Sequence, residues 1–181
     1  MTGDPIQRLL DEHAGLLARL EGLRRAVREL GERGDAALPE MLPVLREASD
    51  VMDTELLAHS RREDEVLFEV VAEELGGAWG PGLMMREEHR DIHGNADRFR
   101  DTLRELKQVE HPAVEAGIAR LHEQLGAGAA AATLCRTGAE LLAMIEAHFS
   151  KEEELLFPIA RAELSADKLR EVARRMDELD A

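Results

Sequence analysis

Two side chains that can bind a metal, His148 and Glu152, lie four residues apart within a helical pattern of apolar residues. Apolar residues recur at alternating spacings of four and three around the pair, and this predicts a helix with both polar groups on its core face. A buried imidazole beside a buried carboxylate costs free energy unless a third group pairs with them. Because a metal ion satisfies both groups at once, the stretch predicts metal ligands.

A second stretch repeats this arrangement, with His59 and Glu63 again four residues apart and a Leu-Phe pair following each glutamate. An acidic-acidic-His triplet lies upstream of each copy, ending at His13 before the first and at His89 before the second. The repeat therefore predicts a unit of one histidine followed by His-x-x-x-Glu, which the chain uses twice.

The candidate ligands on the predicted core faces are five imidazoles and two carboxylates: His13, His59, Glu63, His89, His93, His148 and Glu152. This set is too large for one tetrahedral zinc and favours two metals, bridged by the two glutamates and capped on the outside by the histidines. His111 and His122 are left out, because one falls at a predicted helix end and the other in a predicted accessory helix. Glu12 and Glu88 are expected to face solvent, the alternative being that they orient an imidazole N–H group.

The elements that must position these residues are helices. Apolar periodicity and helix breakers predict four long helices over about residues 5–30, 39–75, 83–109 and 129–162, an accessory short helix over 112–125 and a C-terminal helix over 165–179. His111-Pro112 is expected to end the third helix. No segment alternates with a period of two, so the chain is predicted to be all-α.

The short connections predict an antiparallel up-down-up-down four-helix bundle in a single domain spanning 1–181, with its core over about residues 5–162. In such a bundle the first and third helices begin, and the second and fourth end, at the same end of the molecule. With a rise of about 1.5 Å per residue, histidines from all four helices can then reach a similar level. One central site is therefore compatible with the predicted topology.

Charge and composition exclude several classes of partner. The 181-residue chain has a formal net charge of −15, which argues against binding to nucleic acid or to an anionic membrane. The start of the chain has no signal-peptide pattern, and no apolar stretch approaches about eighteen residues, so a cytoplasmic location is expected. The single cysteine, Cys135, excludes an intrachain disulfide and a zinc-finger cage.

The combined pattern of the seven candidate ligands resembles the hemerythrin family, in particular bacterial hemerythrin-like proteins with the His-His-Glu (HHE) cation-binding domain. The resemblance covers roughly residues 5–162. It implies a non-haem di-iron site inside a four-helix bundle, with dioxygen binding at one iron. Carried over by position, it implies one iron held by His89, His93 and His148, the other by His13 and His59, and bridges from Glu63 and Glu152.

The internal repeat also predicts an open metal position. The counterpart of His93 in the first copy is Leu17, so one metal would have three histidines and the other two, leaving a vacancy for a small ligand. The oxygen-carrying pattern has an aspartate five residues after the last histidine, where this chain has Glu153. We favour Glu152 as the bridge because the first copy uses the four-residue spacing, with Glu153 as second choice. Reversible oxygen carriage is left open, since the reach of the bridge affects the iron environment.

These residues favour a protein that binds dioxygen, peroxide or nitric oxide for oxygen binding, sensing or a stress response. A di-iron enzyme that reduces peroxide or nitric oxide, or helps to repair iron–sulfur clusters, would use the same ligands with a redox partner that the sequence does not identify. Iron storage and a structural metal are further alternatives. A ferritin-like site is disfavoured, because no histidine has an acidic residue three positions before it.

Overall fold

The computed structural model describes residues 3–77 and 101–181, and every regular element in these ranges is helical. The first bundle helix comprises Pro5–Arg19 and Glu21–Arg33, and a 3-10 turn at Gly34–Ala37 follows it. The second bundle helix comprises Leu38–Val51, Leu57–Arg62 and Phe68–Gly77, joined by π-helical turns at Met52–Leu56 and Glu63–Leu67. The prediction of an all-α chain is therefore confirmed for the described residues.

The remaining helices follow the same plan. The third bundle helix is described from residue 101 and comprises a π turn at Leu106–Glu110 and the segment His111–Gly126. The fourth bundle helix comprises Ala131–Lys151, a π turn at Glu152–Leu156 and Phe157–Glu163. A C-terminal helix, Ala166–Leu179, ends the chain.

Local sequence explains where the helices begin and end. The Asp4 carboxylate accepts hydrogen bonds from the backbone N–H groups of Ile6 and Gln7 at 2.9 and 3.2 Å, so it caps the first bundle helix. Gly34 ends that helix with φ of +57° and ψ of −142°, a positive-φ conformation that glycine adopts more readily than other residues. The Ser165 hydroxyl caps the C-terminal helix by accepting from the Lys168 N–H at 3.3 Å.

The four long helices pack as a bundle. The first bundle helix contacts the second and the fourth, and the third also contacts the second and the fourth, so each helix has two neighbours. The connection between the second and third helices falls in residues 78–100, outside the described ranges. The up-down-up-down order therefore remains a prediction.

The third bundle helix differs from the prediction at Pro112. The chain continues as helix through this residue to Gly126, so the separate accessory helix predicted over 112–125 is wrong. A proline usually breaks a helix because it lacks an N–H and its ring clashes with the carbonyl four residues earlier. Here a wide π turn immediately precedes the His111-Pro112 pair, and another precedes Phe157-Pro158, so each proline follows a change in hydrogen-bond register.

A polar layer separates two apolar clusters along the bundle. One cluster includes Leu20, Leu45 and Leu134, and the other includes Leu9, Leu67 and Met176 of the C-terminal helix. Between them, each bundle helix contributes a buried histidine. Among the described residues, none of the helices is both long and apolar enough to cross a bilayer.

Candidate metal centre

Four histidines and two glutamates form a cluster at the centre of the bundle. The histidines are His13, His59, His111 and His148, one from each bundle helix, and all four are at most 3% exposed. The glutamates, Glu63 of the second helix and Glu152 of the fourth, are 0% exposed. A set of ionisable groups this deeply buried is costly unless each member has a partner.

The histidines converge in two pairs. The Nε2 atoms of His13 and His59 lie 2.9 Å apart, and those of His111 and His148 also lie 2.9 Å apart. Each pair therefore directs two imidazole nitrogens at one point. Both points lie between the two glutamates.

Each glutamate extends from one histidine pair to the other. Glu63 Oε1 lies 3.3 Å from His59 Nε2, and its Oε2 lies 3.7 Å from His111 Nε2. Glu152 Oε2 lies 3.4 Å from His13 Nε2, and its Oε1 lies 3.3 Å from His148 Nε2. The arrangement forms two groups of donor atoms that share both carboxylates, and the atoms of each group lie within 4.8 Å of one another.

The carboxylate oxygens of this cluster indicate that metal ions fit between the histidine pairs. All four oxygens of Glu63 and Glu152 are buried and accept no hydrogen bond from the described residues. Leaving buried carboxylates unsatisfied costs several kcal/mol or more. Two imidazole nitrogens with shared carboxylates at each position are donors that suit iron, manganese or zinc. The donor set therefore fits two cations bridged by two glutamates.

An outer ring of acidic residues contacts the far side of the imidazoles. Nδ1–H of His13 donates to Glu153 at 2.8 Å, His59 donates to Glu12 at 2.8 Å, and His148 donates to Glu110 at 2.9 Å. Asp64 Oδ2 lies 3.0 Å from His111 Nδ1, although the pair is not aligned as a hydrogen bond. These contacts fix the ring orientation that directs each Nε2 inward.

The acidic ring runs around the whole bundle. In each case the acid comes from one bundle helix and the imidazole from the next, and the fourth helix returns to the first through Glu153 and His13. Basic residues hold two of the acids: Arg62 donates to Glu12 at 3.3 Å, and Lys151 donates to Glu110. The ring ties the geometry of the site to the packing of all four helices.

The contacts reveal a longer sequence repeat than the one predicted. Each half of the chain contains Glu-His followed by His-x-x-(Arg/Lys)-Glu-(Asp/Glu), and a Leu-Phe pair follows four and five residues after the glutamate. In the first half the Glu-His pair is Glu12-His13. In the second half the described pair is Glu110-His111, and the predicted pair Glu88-His89 lies outside the described residues.

The π turns place the glutamates. Glu63 and Glu152 are the first residues of two π turns, and His111 directly follows a third. A π turn adds one residue to the helical turn, and such bulges are frequent at functional sites. The extra residue rotates each glutamate relative to the apolar positions that follow it, so that both the carboxylate and those positions face the core.

Aromatic rings cover parts of the histidine pairs. Phe149 stacks on His13 with ring centroids 3.8 Å apart and an angle of 9° between planes. Phe157 lies against His13 at 5.4 Å, and its counterpart Phe68 stacks on His111 at 6.0 Å. These rings help to exclude water from the outer faces of the imidazoles.

The cluster holds protons that a cation would displace. Burial is the largest influence on the pKa of His13 and of His148, and lowers both. At His59 burial opposes the charge, but the Glu63 carboxylate and the hydrogen bond to Glu12 raise the pKa to about 9. Burial also opposes ionisation of Glu63, but the charge of His59 lowers its pKa to about 2. Burial and the Glu63 charge raise the pKa of Glu152 well above its usual value, so they favour its protonated form.

The structure brings together five of the seven predicted ligands: His13, His59, Glu63, His148 and Glu152. His89 and His93 lie outside the described residues. Glu153, the second choice for the bridge, contacts the outer nitrogen of His13 instead of lying between the pairs. Glu12 does not simply face solvent as expected, because it accepts from His59.

Sequence reasoning missed His111. Its placement at a helix end was wrong, because the helix continues and the imidazole is buried against His148. The glutamate directly before His111 could have identified this histidine, because Glu110-His111 repeats the pair Glu12-His13. His122, which was also left out, is mostly exposed, at 67% of its side-chain surface.

Comparison with known proteins gives one match. The family model described as the Hemerythrin HHE cation binding domain matches residues 4–110. No curated protein and no solved structure matches the chain. The matched range contains His13, His59 and Glu63, and it ends one residue before His111.

Proposed function

Since the chain belongs to the hemerythrin HHE cation-binding family, we propose that it is a di-iron protein that binds a small ligand such as dioxygen, nitric oxide or peroxide. The observation that carries this proposal is the set of four unpartnered oxygens on Glu63 and Glu152, between two converging histidine pairs. Iron bound there would supply redox chemistry and an open coordination position for the ligand.

The proposed ligand set differs from the one that the sequence predicted. One position takes His13 and His59, the other takes His111 and His148, and both share Glu63 and Glu152. His111 thus replaces the predicted pair His89 and His93. Each position has two imidazoles and shared carboxylates, as in mononuclear iron sites with two histidines and one carboxylate that keep open positions.

The protein's own residues contribute binding, orientation and exclusion of water. The glutamates hold the two positions together, and the outer acids hold each imidazole with Nε2 inward. The two apolar clusters lie on either side of the polar layer along the bundle and help to exclude water from it. We propose that the bundle is antiparallel, with up-down-up-down helix order. The arrangement of these residues supports ligand binding or sensing without a further catalytic residue. An enzyme that reduces peroxide or nitric oxide would use the same centre.

The function is tested by anaerobic metal analysis followed by an optical spectrum on admitting and removing air. We expect two irons per chain and a visible charge-transfer band that responds to oxygen. A reversible band would mark an oxygen-binding protein, and irreversible oxidation would favour peroxide or nitric oxide chemistry. Zinc with no spectral response would contradict the proposal and leave a structural metal.

The ligand set is tested by alanine substitution. His111→Ala should lose at least one of two metals, because it removes one of the two imidazoles at its position. His122→Ala is the matched control, since this exposed histidine lies on the same helix. His93→Ala should keep both metals. Full metal content in His111→Ala together with loss in His93→Ala would instead support the ligand set that the sequence predicted.

A further inference from the structure

A cleft on the bundle surface lies next to one histidine pair. It has a volume of about 200 Å³ and lies between the third and fourth bundle helices. Its walls are mostly apolar and include Val109, Val114, Met144 and Ala147. Val109, which lines it, is 60% exposed, and among the described residues Leu155 is the other large apolar residue that is exposed.

One carboxylate, Glu110, connects the cleft to the outer nitrogen of a candidate metal ligand, His148. Glu110 lines the cleft together with Lys151, and the two form an ion pair. The other oxygen of Glu110 accepts from His148 Nδ1 at 2.9 Å. A molecule in the cleft is therefore separated from the His148 imidazole by a single side chain.

The internal repeat provides a comparison surface on the other half of the molecule. There the counterparts of Val109 and Met144 are the charged residues Asp11 and Glu55. Asp11 accepts from Gln7 at 2.9 Å, and Glu55 pairs with Arg19. Two apolar positions of the cleft are therefore replaced by charged residues on the equivalent surface, and each of these has its own polar partner there.

The C-terminal helix also covers the half of the molecule that contains His13 and His59. Its last turn and the residue after it place Asp177 and Asp180 against Arg8, and Asp180 also binds Arg62 at 2.8 Å. Arg62 is the counterpart of Lys151 and donates to Glu12, the acid that holds His59. The two halves of the site thus share a ligand arrangement but differ in what covers them.

The interior shows the same asymmetry. Phe149 stacks on His13 at 3.8 Å, and the residue at the equivalent position of the first copy is Ser60. Ser60 is buried and has a much smaller side chain. The His13 imidazole is therefore covered by a large aromatic ring, whereas the equivalent position of the first copy carries only a hydroxymethyl group.

We propose that the cleft binds small, neutral, apolar molecules of the diatomic gas class and is their route to the metal position of His111 and His148. The proposal rests on the di-iron function and specifies which position receives the ligand. The apolar side chains that form most of the cleft favour a neutral gas over an anion, because the two charged residues of the lining, Glu110 and Lys151, already pair with each other. Its volume of about 200 Å³ exceeds the roughly 150 Å³ of an enclosed aliphatic cavity that binds xenon in another protein, although the cleft is open to solvent on one side.

The first test uses xenon and the metal-free protein. Saturable shifts of the Val114 and Met144 methyl resonances under xenon pressure are expected, because xenon fills small apolar cavities. The substitution Ala147→Phe, at an exposed position, should abolish them by filling the cleft. Ala58→Phe is the matched control at the equivalent position of the first copy and should leave the shifts unchanged. Resonances of wild-type protein that do not respond to xenon would overturn the proposal.

The second test is the rate of nitric oxide association with the iron-loaded protein. Ala147→Phe should slow association about tenfold, a barrier increase of about 1.4 kcal/mol, whereas Ala58→Phe should not. Equal rates for wild type and both variants, or equal slowing by both substitutions, would reject this route. If the route is rejected but two irons are bound, the proposed di-iron function still stands. Failure to bind iron would overturn the proposed di-iron function.

Discussion

At the scale of single residues, the outer acids should matter for metal binding although none of them faces the metal positions. Glu110 accepts from His148 and pairs with Lys151, so it both orients the imidazole and increases its basicity. The pair is only partly buried, because 20% of the Glu110 side chain is exposed. Its contribution should therefore appear in metal affinity more than in the stability of the fold.

The substitution Glu110→Gln should weaken metal binding about 10–100-fold, as outer-sphere partners of ligating histidines do elsewhere. The measurement is competition for iron against a chelator of known affinity. Glu105→Gln is the matched control, because Glu105 also pairs with Lys151 but makes no contact with a histidine among the described residues. Equal affinities for the two variants would show that the carboxylate only neutralises the lysine.

At the scale of elements, the sequence predicted the helices better than their interruptions. Apolar periodicity located the first, second, fourth and C-terminal helices, but it divided the third at His111, where the helix continues. Pro112 was misjudged because the rule for prolines assumes α-helical hydrogen bonding, and a π turn precedes it. No single-residue propensity marks a π turn. Because of this wrong helix end, the prediction excluded His111 from the site.

The outer acids could have been predicted in part. The pairs Glu12-His13 and Glu110-His111 share one pattern, as do Glu63-Asp64 and Glu152-Glu153. What the sequence could not give is that each acid contacts a histidine of the next helix rather than its own neighbour. That pairing depends on the relative rotation of adjacent helices, which is set by packing and not by spacing along the chain.

The C-terminal helix is an element whose contribution can be measured separately from the metal. Met176 is 0% exposed and belongs to the apolar cluster that includes Leu9 and Leu67. Met176→Ala should lower the free energy of unfolding by about 2–5 kcal/mol through the cavity that it leaves. Chemical denaturation of the metal-free protein checks this. The exposed Arg174→Ala is the control, and a loss below about 1 kcal/mol for Met176→Ala would mean that the helix is only loosely attached.

At the scale of the whole molecule, the metal centre interrupts what would otherwise be one continuous core. The two apolar clusters lie on either side of a layer of six ionisable groups, so the bundle is stable only if that layer is neutralised. Without metal, protons do this: His59 and Glu63 form a charged pair, while burial and the Glu63 charge favour the protonated form of Glu152. With metal, cations replace those protons, so the two states should respond to pH in opposite ways.

The metal-free protein should become less stable as pH rises. The pKa of His59 is raised from 6.5 to about 9, so its contribution is fully present below 6.5 and is lost as pH rises through about 9. Glu152 acts in the same direction, because its raised pKa also means that the folded state holds the extra proton. His13 and His148 act in the opposite direction, but only as pH falls through about 6.5, because their pKa values are lowered from 6.5.

Thermal unfolding of the metal-free protein at about pH 6.5 and about pH 9 should therefore show a midpoint lower by on the order of 5 °C at the higher pH. The iron-loaded protein should not lose stability in this window, because bound cations need the deprotonated ligands. Glu152→Gln, which cannot titrate, should reduce the pH dependence of the metal-free protein. Glu153→Gln, at the adjacent and partly exposed position, serves as the control. A midpoint that rises with pH in the metal-free protein would mean that the buried layer is not held neutral by protons, and that the bundle tolerates its charges by another arrangement.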